Sequence, residues 1–318
     1  MVDRSETLVT VFGGGGFIGR YVCEYLLKNG ARVRIAQRNP RAAYTIQPLG
    51  QVGQVGYERA DITKPASVAH ALRGATAAIN LCGVFGKNMR SVHVDGAANV
   101  AKAASAAGCR SLVQISAIGA DPNGEAYYAR TKGEGEAAVR KAFERATVVR
   151  PSLVFGPEDN LTNRFAGMAQ LPVLPVLAPG SKFQPVYVRD LGQAIAMAAL
   201  DPQRFGGQTF EIGGPQMMTM LELQRAILEM TEQNPEVAVL PNIAGTILSK
   251  LGFLPGAPLT ADQWIMLQQG SVPSGRLPGL EAFGIQPTPL AAVGYEWLGR
   301  YHKGGKFAGR RINLTATN

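Results

Sequence analysis

A glycine-rich turn set between a short apolar strand and an amphipathic helix, in TLVTVFGGGGFIGRYVCEYLLKNG, limits what this chain can fold into more than any other feature. Leu8 to Phe12 alternate apolar and hydroxylated residues as a short buried strand does, and Phe17, Ile18, Tyr21, Val22, Tyr25 and Leu26 then recur at helical spacing. The glycines fall at the junction. Gly13, Gly16 and Gly19 read as GxxGxxG, while Gly14, Gly16 and Gly19 read as GxGxxG. One lets the chain turn sharply, one lets backbone N–H groups approach a phosphate, and one lets the helix pack close to the sheet. A lone GxGxxG is weak. With a strand before it and a helix after it, the motif predicts that a dinucleotide pyrophosphate sits at the helix N-terminus.

Further along, strand and helix patterns alternate. RVRIAQR, VGYERAD, AAINLCG, SLVQISA and ATVVRPSLVFG read as strands two to six, separated by helical stretches such as KPASVAHALRG, SVHVDGAANVAKAASAAG and YYARTKGEGEAAVRKAF. That alternation predicts an α/β protein with a doubly wound parallel sheet of the Rossmann type. After Gly156 the pattern loosens into the Pro-rich apolar run PEDNLTNRFAGMAQLPVLPVLAPGSK, and VYVRDLGQAIAMAAL and GQTFEIGG then return as strand, helix and strand. MLELQRAILEMTE, NIAGTILSKLGF and TADQWIMLQQG are the remaining helical patterns. The expected organisation is a dinucleotide-binding domain over residues 1–156, completed by 183–213, with a smaller lobe made of 157–182 and 214–318.

Three cysteines, Cys23, Cys82 and Cys109, cannot all pair and show no ligand spacing, which favours a reducing compartment. With three histidines and neither CxxC nor HxxxH, no metal site is expected. MVDRSET runs almost directly into the first strand without an apolar signal core or an Arg/Ser-rich arm, and no stretch has the roughly 20 apolar residues needed to span a bilayer, so a cytoplasmic protein is expected. The net charge is +9, but Lys and Arg are scattered, and no nucleic-acid partner is expected. Only RYHKGGKFAGRR is dense. Its Arg300, Lys303, Lys306, Arg310 and Arg311 read either as a solvated tail or as a contact for a membrane face or acidic partner.

The end of the second strand bears on the choice of nucleotide. NAD sites carry a carboxylate there for the ribose hydroxyls; this chain offers Gln37, Arg38 and Asn39. Arg38, with Arg20 just past the last glycine, can instead pair with a 2′-phosphate, so NADPH (NADP) is expected in preference to NAD. A second constellation joins Ser116, at the end of the fifth strand, to Tyr128 and Lys132. The latter two are four apart and share a helix face. An ammonium beside a phenol is expected to lower its pKa from about 10, which suits proton exchange with a hydroxyl or carbonyl while a nicotinamide moves hydride.

These strings, together with Asp61-Ile62, NLCG, YARTK and RPSLVFG, resemble the extended and atypical short-chain dehydrogenase/reductase superfamily across most of the chain. The resemblance implies that Asp61 and Ile62 flank an adenine, that Leu81, Cys82 and Gly83 line the cofactor beside Gly13, Gly16, Phe17, Ile18 and Gly19, and that Pro151, Leu153 and Val154 approach the nicotinamide. It also implies catalysis by Ser116, Tyr128 and Lys132, with Lys132 reaching the nicotinamide ribose. VFGGGGFIGRYV, the Q-R-N strand end, NLCGV, ISAIGADPN, YARTKGEGE and VVRPSLVFGPEDN look most like the NADPH-binding accessory subunits of respiratory complex I and their alphaproteobacterial relatives. That likeness implies a nucleotide held as a structural element beside a membrane arm, with complex I subunits as partners, peripheral to the cytoplasmic face of the inner membrane.

Some residues depart from the superfamily pattern. Glu125-Ala126-Tyr127 precede Tyr128 without the usual proline, Thr131 replaces a serine before Lys132, and His93 stands where active relatives often place an asparagine for a proton relay. His93 reads as a satisfied buried histidine, a weaker relay, or a sign of lost turnover. LPVLPVLAPGS and GTILSKLGFLPG are apolar enough to touch a membrane face or partner, or to bury as a substrate lobe. Two functions stand: a nucleotide-holding subunit, and a free NADPH-dependent reductase, dehydrogenase or epimerase acting on an apolar, quinone- or sterol-like compound.

Overall fold

The computed structural model describes residues 6–250, 259–302 and 305. Seven parallel strands form the central sheet: β1 Leu8–Phe12, β2 Arg32–Gln37, β3 Val55–Arg59, β4 Ala77–Asn80, β5 Ser111–Ile115, β6 Thr147–Pro151 and β7 Thr209–Ile212. Their spatial order is 7-6-5-4-1-2-3, so β1 lies between β2 and β4, and the winding reverses there. In open parallel sheets a ligand sits at that reversal, beyond the strands' carboxyl ends.

Helices cover both faces because both faces are apolar. Val9 and Val11 of β1, with Val33 and Ile35 of β2, pack against Val22, Cys23 and Leu26 of α1 (Phe17–Lys28). On the other face, Phe12, Ala36, Ala78 and Leu112 meet Val68 and Ala71 of α2 (Pro65–Ala71) and Val100, Ala101 and Ala104 of α3 (Ala97–Ala106). Val139 of α4 (Tyr127–Ala142) closes that second core. Thr10 is the one polar residue of β1, and its hydroxyl donates to the Ala71 carbonyl at 3.0 Å.

α4 is held by charge as well as packing. Arg150 of β6 grips Glu136 of α4 through two hydrogen bonds of 2.9 and 2.7 Å and reaches Glu211 of β7 at 3.7 Å. Glu136 and Glu211 are both buried, so this bidentate guanidinium pins the helix across two strands. After β6 the chain bends out of the sheet. Val154–Phe155 pairs with Val186–Tyr187 alone, and α5 (Asn160–Met168) follows, capped by Asp159, whose side chain accepts from the N–H of Thr162. The strand expected in VYVRD therefore stops after two residues, and α6 (Val188–Leu200) begins at Val188 and packs on the α1 side of the sheet through Leu191, Ala194 and Ile195.

The later helices are α7 (Met220–Thr231), with a Thr219/Glu222 capping box, α8 (Asn242–Lys250) and α9 (Ala261–Gln269). A separate aromatic core joins segments on both sides of the bend: Phe155, Tyr187 and Trp297 stack within 6.5 Å of one another, beside Leu223, Ile227 and Leu298. The end of the expected helix NIAGTILSKLGF and the tail residues Lys303, Lys306, Arg310 and Arg311 lie outside the described residues; Arg300 donates to the Asn163 side-chain oxygen. One local element was not expected from the sequence, and another takes a different form within an expected helix. A 3₁₀ stretch spans Pro40–Leu49 after β2, and a π-helical turn spans Ser91–Gly96 before α3.

Candidate functional site

Gly13 leaves β1 with φ +78°, a backbone conformation that side chains with a Cβ rarely adopt. Gly19 is needed for a different reason. A Cβ there would lie 2.5 Å from the carbonyl oxygens of both Gly13 and Gly14, so only glycine lets α1 begin this close to the turn. Gly16 occupies the N-cap without a side-chain cap, and the first turn of α1 carries no carboxylate, which leaves the helix's positive end free for an anion. Gln37, at the place where an NAD site would put an acid, accepts the Gly15 N–H at 3.0 Å and so braces the loop. Across the switch point, the place where a Gly13 Cβ would lie is 3.5 Å from Cys82 Sγ and 3.6 Å from the Leu81 carbonyl carbon. Gly13, Leu81 and Cys82 thus stand on opposite lips of one crevice.

At one end of the crevice a cavity of about 320 Å³ is lined by Arg38, Arg59, Ala60, Asp61, Lys64 and Ser67. Three cations and one carboxylate leave this lining at +2. Asp61 is tied down: its carboxylate accepts from the Thr63 N–H and hydroxyl at 3.0 and 2.8 Å, bonds that hold it below the usual carboxylate range, helped by Lys64 and Arg38. Among the described residues no ion pair engages Arg38, Arg59 or Lys64. Arg20 differs, since it pairs with Glu158 at 3.3 Å, and the same carboxylate accepts the Tyr21 hydroxyl at 2.6 Å. Its expected pairing with a 2′-phosphate would require it to leave Glu158. Ile62 is buried beneath Gly96, and its carbonyl accepts from Asn99.

At the other end the catalytic candidates converge. Lys132, buried on α4, donates to the Ile115 carbonyl at 3.4 Å, immediately before Ser116, and a Cβ on Gly83 would lie 3.4 Å from its ammonium. Burial pulls Lys132 down to about 8. Ser116 is 4% exposed, and its hydroxyl has no hydrogen-bond partner among the described residues. A buried orphan of this kind at the mouth of a crevice fits a ligand oxygen. Among the described residues no hydrogen bond joins Tyr128 Oη, Ser116 Oγ and Lys132 Nζ; the Lys132 nitrogen lies 5.6 Å from the Tyr128 ring centre.

The lowered phenol pKa expected from Lys132 is not what the geometry gives. Burial, and then the charge of Asp262, push Tyr128 up to about 12. Phe85 stacks on its ring at 4.7 Å, nearly parallel; Phe85 itself is exposed and Tyr128 half-buried. Asp262, carried by α9, accepts the backbone N–H groups of Tyr127 and Tyr128. Pro151 belongs to β6, and its carbonyl accepts from Ile118; Leu153 packs with Val176, Phe183 and Met220, and Val154 packs with the core. Phe17 and Ile18 likewise pack toward the smaller lobe.

His93 is the satisfied buried histidine among its three readings. It is 2% exposed, its Nε2 accepts the Val84 N–H at 3.0 Å, and Nδ1 stands 2.9 Å from the Thr131 hydroxyl, which donates to the Tyr128 carbonyl at 3.0 Å. With Nε2 accepting, Nδ1 carries the proton, and both nitrogens are used. Thr131 is thus a link in this chain. Burial, and then Lys132, drive the imidazole down to about 3. A depressed histidine contributes stability that is complete above its unfolded pKa of about 6.5 and is lost as pH falls from there toward 3. Between pH 7.5 and 4.5 the wild-type unfolding free energy should fall about 2 to 3 kcal/mol more than that of His93→Asn, as read from urea midpoints at the two pH values. Equal falls would remove the buried-neutral assignment.

A glycine-cradled crevice at the sheet's switch point, with Ser, Tyr and Lys at one end and a basic pocket at the other, defines an NAD(P)-binding protein of the reductase and epimerase type. The chain belongs to the NAD dependent epimerase/dehydratase family, whose sequence profile matches residues 9–213. It is 33% identical, over 93% of its length and 81% of the relative's, to NADH dehydrogenase [ubiquinone] 1 alpha subcomplex subunit 9, mitochondrial, of Mus musculus. It is 29% identical to the NADH-ubiquinone oxidoreductase 40 kDa subunit, mitochondrial, of Neurospora crassa, over 92% and 79% of the two chains. A ceramide reductase of Caulobacter vibrioides is 32% identical over 60% of each chain. Among solved structures, the NADPH-dependent quinone oxidoreductase QOR2 of Escherichia coli, complexed with NADPH, superposes with a TM-score of 0.73 at 20% identity, covering 91% of this chain and 99% of that one.

The sequence reading missed Arg59, Lys64, Phe85 and Asp262. Arg59 and Lys64 flank the Asp61-Ile62 pair, and a basic residue on either side of that pair was a usable signal. Asp262 lies 134 residues from Tyr128, and nothing local marks it.

Proposed function

We propose that this chain holds NADP(H) in the crevice as a lasting structural element and serves as an accessory subunit of a respiratory NADH:quinone oxidoreductase, on the cytoplasmic face of the inner membrane. The observation that carries the reading is an asymmetry within one site. The phosphate end is basic, with no ion pair on its cations among the described residues, whereas the reacting end is poorly set for proton transfer: Phe85 stacks on Tyr128, the phenol is pushed up to about 12, and both His93 nitrogens are engaged. The mitochondrial relatives, which are subunits of NADH dehydrogenase [ubiquinone] and NADH-ubiquinone oxidoreductase, support the assembly part of the proposal.

In this reading Gly13, Gly16 and Gly19 would hold the pyrophosphate, Arg38, Arg59 and Lys64 the 2′-phosphate, and Lys132 and Ser116 the nicotinamide end. A bound nicotinamide supplies hydride transfer; the protein's part is to grip and shield it. Residues 1–156 and 183–213 would carry the nucleotide, leaving 157–182 and 214–318 to meet partners. Leu171, Val173, Val239, Ile243 and Ile247 are exposed in that lobe, and Val173–Val176 pairs with Glu236–Val239, the strand that leads into α8, which supports contact with a membrane surface or an apolar subunit. No helix among the described residues is long and apolar enough to cross a membrane.

A second reading has its own support. Ser116, Tyr128 and Lys132 are all present at one crevice, as a free reductase or epimerase acting on a hydroxyl or carbonyl of an apolar compound would need. Tyr128→Phe separates the two. In the subunit reading the variant still purifies with bound NADPH and still migrates with the large oxidoreductase on native gels of gently solubilised membranes. Migration of the wild type as a small species, with NADPH oxidation that Tyr128→Phe lowers by about a hundredfold or more, would establish the enzyme instead.

A further inference from the structure

α4 starts without a cap of its own. Its N-cap position is Ala126, in extended backbone, and no side chain of its first turn reaches back to the orphan N–H groups. Those of Tyr127 and Tyr128 are taken by the two oxygens of Asp262, from a different lobe. Asp262 is itself in the first turn of α9, which opens with a complete capping box between Thr260 and Gln263. A single carboxylate therefore faces the positive ends of two helices.

α9 is firmly placed at both ends. Trp264, 4% exposed, packs on α8 at Gly245, where a Cβ would sit 2.3 Å from the indole. Beyond its last turn, Ser271 accepts from Gln184 N–H and from the Ser152 hydroxyl, just past β6, and donates to the Lys182 carbonyl. The position of Asp262 thus reports how the smaller lobe sits, and the first turn of α4 contains Tyr128 and precedes Lys132 by one turn.

We infer that Asp262 is a positioning residue that couples the smaller lobe to the nicotinamide end of the nucleotide site, by closing the amino end of α4 and so fixing where Tyr128 and Lys132 stand. This rests on the nucleotide reading above. Because coupling is reciprocal, anything that moves α9 changes the grip on the nicotinamide, and an occupied nicotinamide site steadies α9.

The full-length wild type, Asp262→Asn and Asp262→Ala decide this, with NADPH and its nicotinamide-free analogue 2′-phospho-ADP-ribose as probes. Hydrogen exchange at the amides of Tyr127 and Tyr128 gives a readout that needs no nucleotide. Asp262→Ala should weaken NADPH about tenfold, leave 2′-phospho-ADP-ribose unchanged and lose protection at the two amides. Asp262→Asn, which keeps one acceptor oxygen, should recover part of each loss, and it carries the test if the alanine variant does not fold. Equal weakening of both probes would reduce Asp262 to a general structural support and overturn the proposal, as would unchanged NADPH affinity or unchanged protection. If the wild type bound neither probe, the nucleotide reading would fail and the coupling with it, while amide exchange would still decide whether Asp262 caps α4.

Discussion

Replacing Gly135 by alanine is expected to destabilise the protein by about 3 kcal/mol or more, even though alanine is the better helix former by about 1 kcal/mol. Gly135 lies in the middle of α4, where glycine is ordinarily a defect. An added Cβ would stand 2.1 Å from the carbonyl oxygen of His93, a backbone atom that cannot rotate aside. Nor can the π-helical turn that carries it retreat cheaply, because the His93 ring is bonded at both nitrogens, to Val84 N–H and to the Thr131 hydroxyl. On its other side, α4 is clamped by the Arg150–Glu136 pair. Either α4 moves, breaking a buried ion pair, or the turn moves, stranding a buried imidazole. Urea unfolding measures the loss, and Gly167→Ala in α5 is the control. A Cβ there meets only Tyr301, at 3.9 Å, so this substitution should leave stability unchanged or raise it by about 0.5 to 1 kcal/mol. A Gly135→Ala midpoint at or above the wild-type value would overturn the close-packing account of the GEGE sequence.

The same comparison shows what kind of information the sequence held. The strands and helices of the doubly wound sheet were legible because the inner strands β1, β4 and β5 are almost wholly buried and the helices carry a buried stripe, a signal that is local in the chain. The tight turn between β1 and α1 was legible because its geometry depends on glycines at fixed spacing, and Gly13 and Gly19 act within a few residues of one another. The π-helical turn was not legible: SVHVDGAAN has ordinary helical periodicity, and the segment packed on the turn, Gly135 against the His93 carbonyl, comes from a distant part of the chain. The phenol's ionisation was misjudged for the same reason. Spacing placed Lys132 and Tyr128 on one face, but the lysine nitrogen lies over the ring at 5.6 Å from its centre, while Phe85 and Asp262, from distant segments, bury and charge the phenol's surroundings. Thr131 and His93, which looked like departures from a catalytic pattern, are one hydrogen-bonded chain.

Removing the basic lining of the cavity beside Asp61 should change nucleotide choice more than any other surface substitution. Arg38→Ala, and separately Arg59→Ala, should each weaken NADPH by about 10- to 100-fold, the size expected for one charge-assisted contact to a phosphate dianion. The double variant should lose about a thousandfold if the two guanidinium groups act independently. NADH, which offers no 2′-phosphate, should change little in any of them. The asymmetry has a physical basis in the lining. Arg38, Arg59 and Lys64 lie around a cavity of about 320 Å³ with no ion pair among the described residues to satisfy them, whereas Arg20 is committed to Glu158. Asp61, held ionised by its two hydrogen bonds from Thr63, offsets only one of the three positive charges and leaves the lining cationic. Screening supplies an independent check. The NADPH affinity of the wild type should fall with added salt, and that slope should flatten in the double variant, since it is the paired charges that salt weakens. Arg20→Ala should cost NADPH and NADH equally if its partner remains Glu158, and a selective loss of NADPH there would move the 2′-phosphate from the Asp61 cavity toward α1. Affinities measured by nicotinamide fluorescence across these variants decide between the two placements, and equal losses for NADPH and NADH in Arg38→Ala would sink the basic pocket as the 2′-phosphate site.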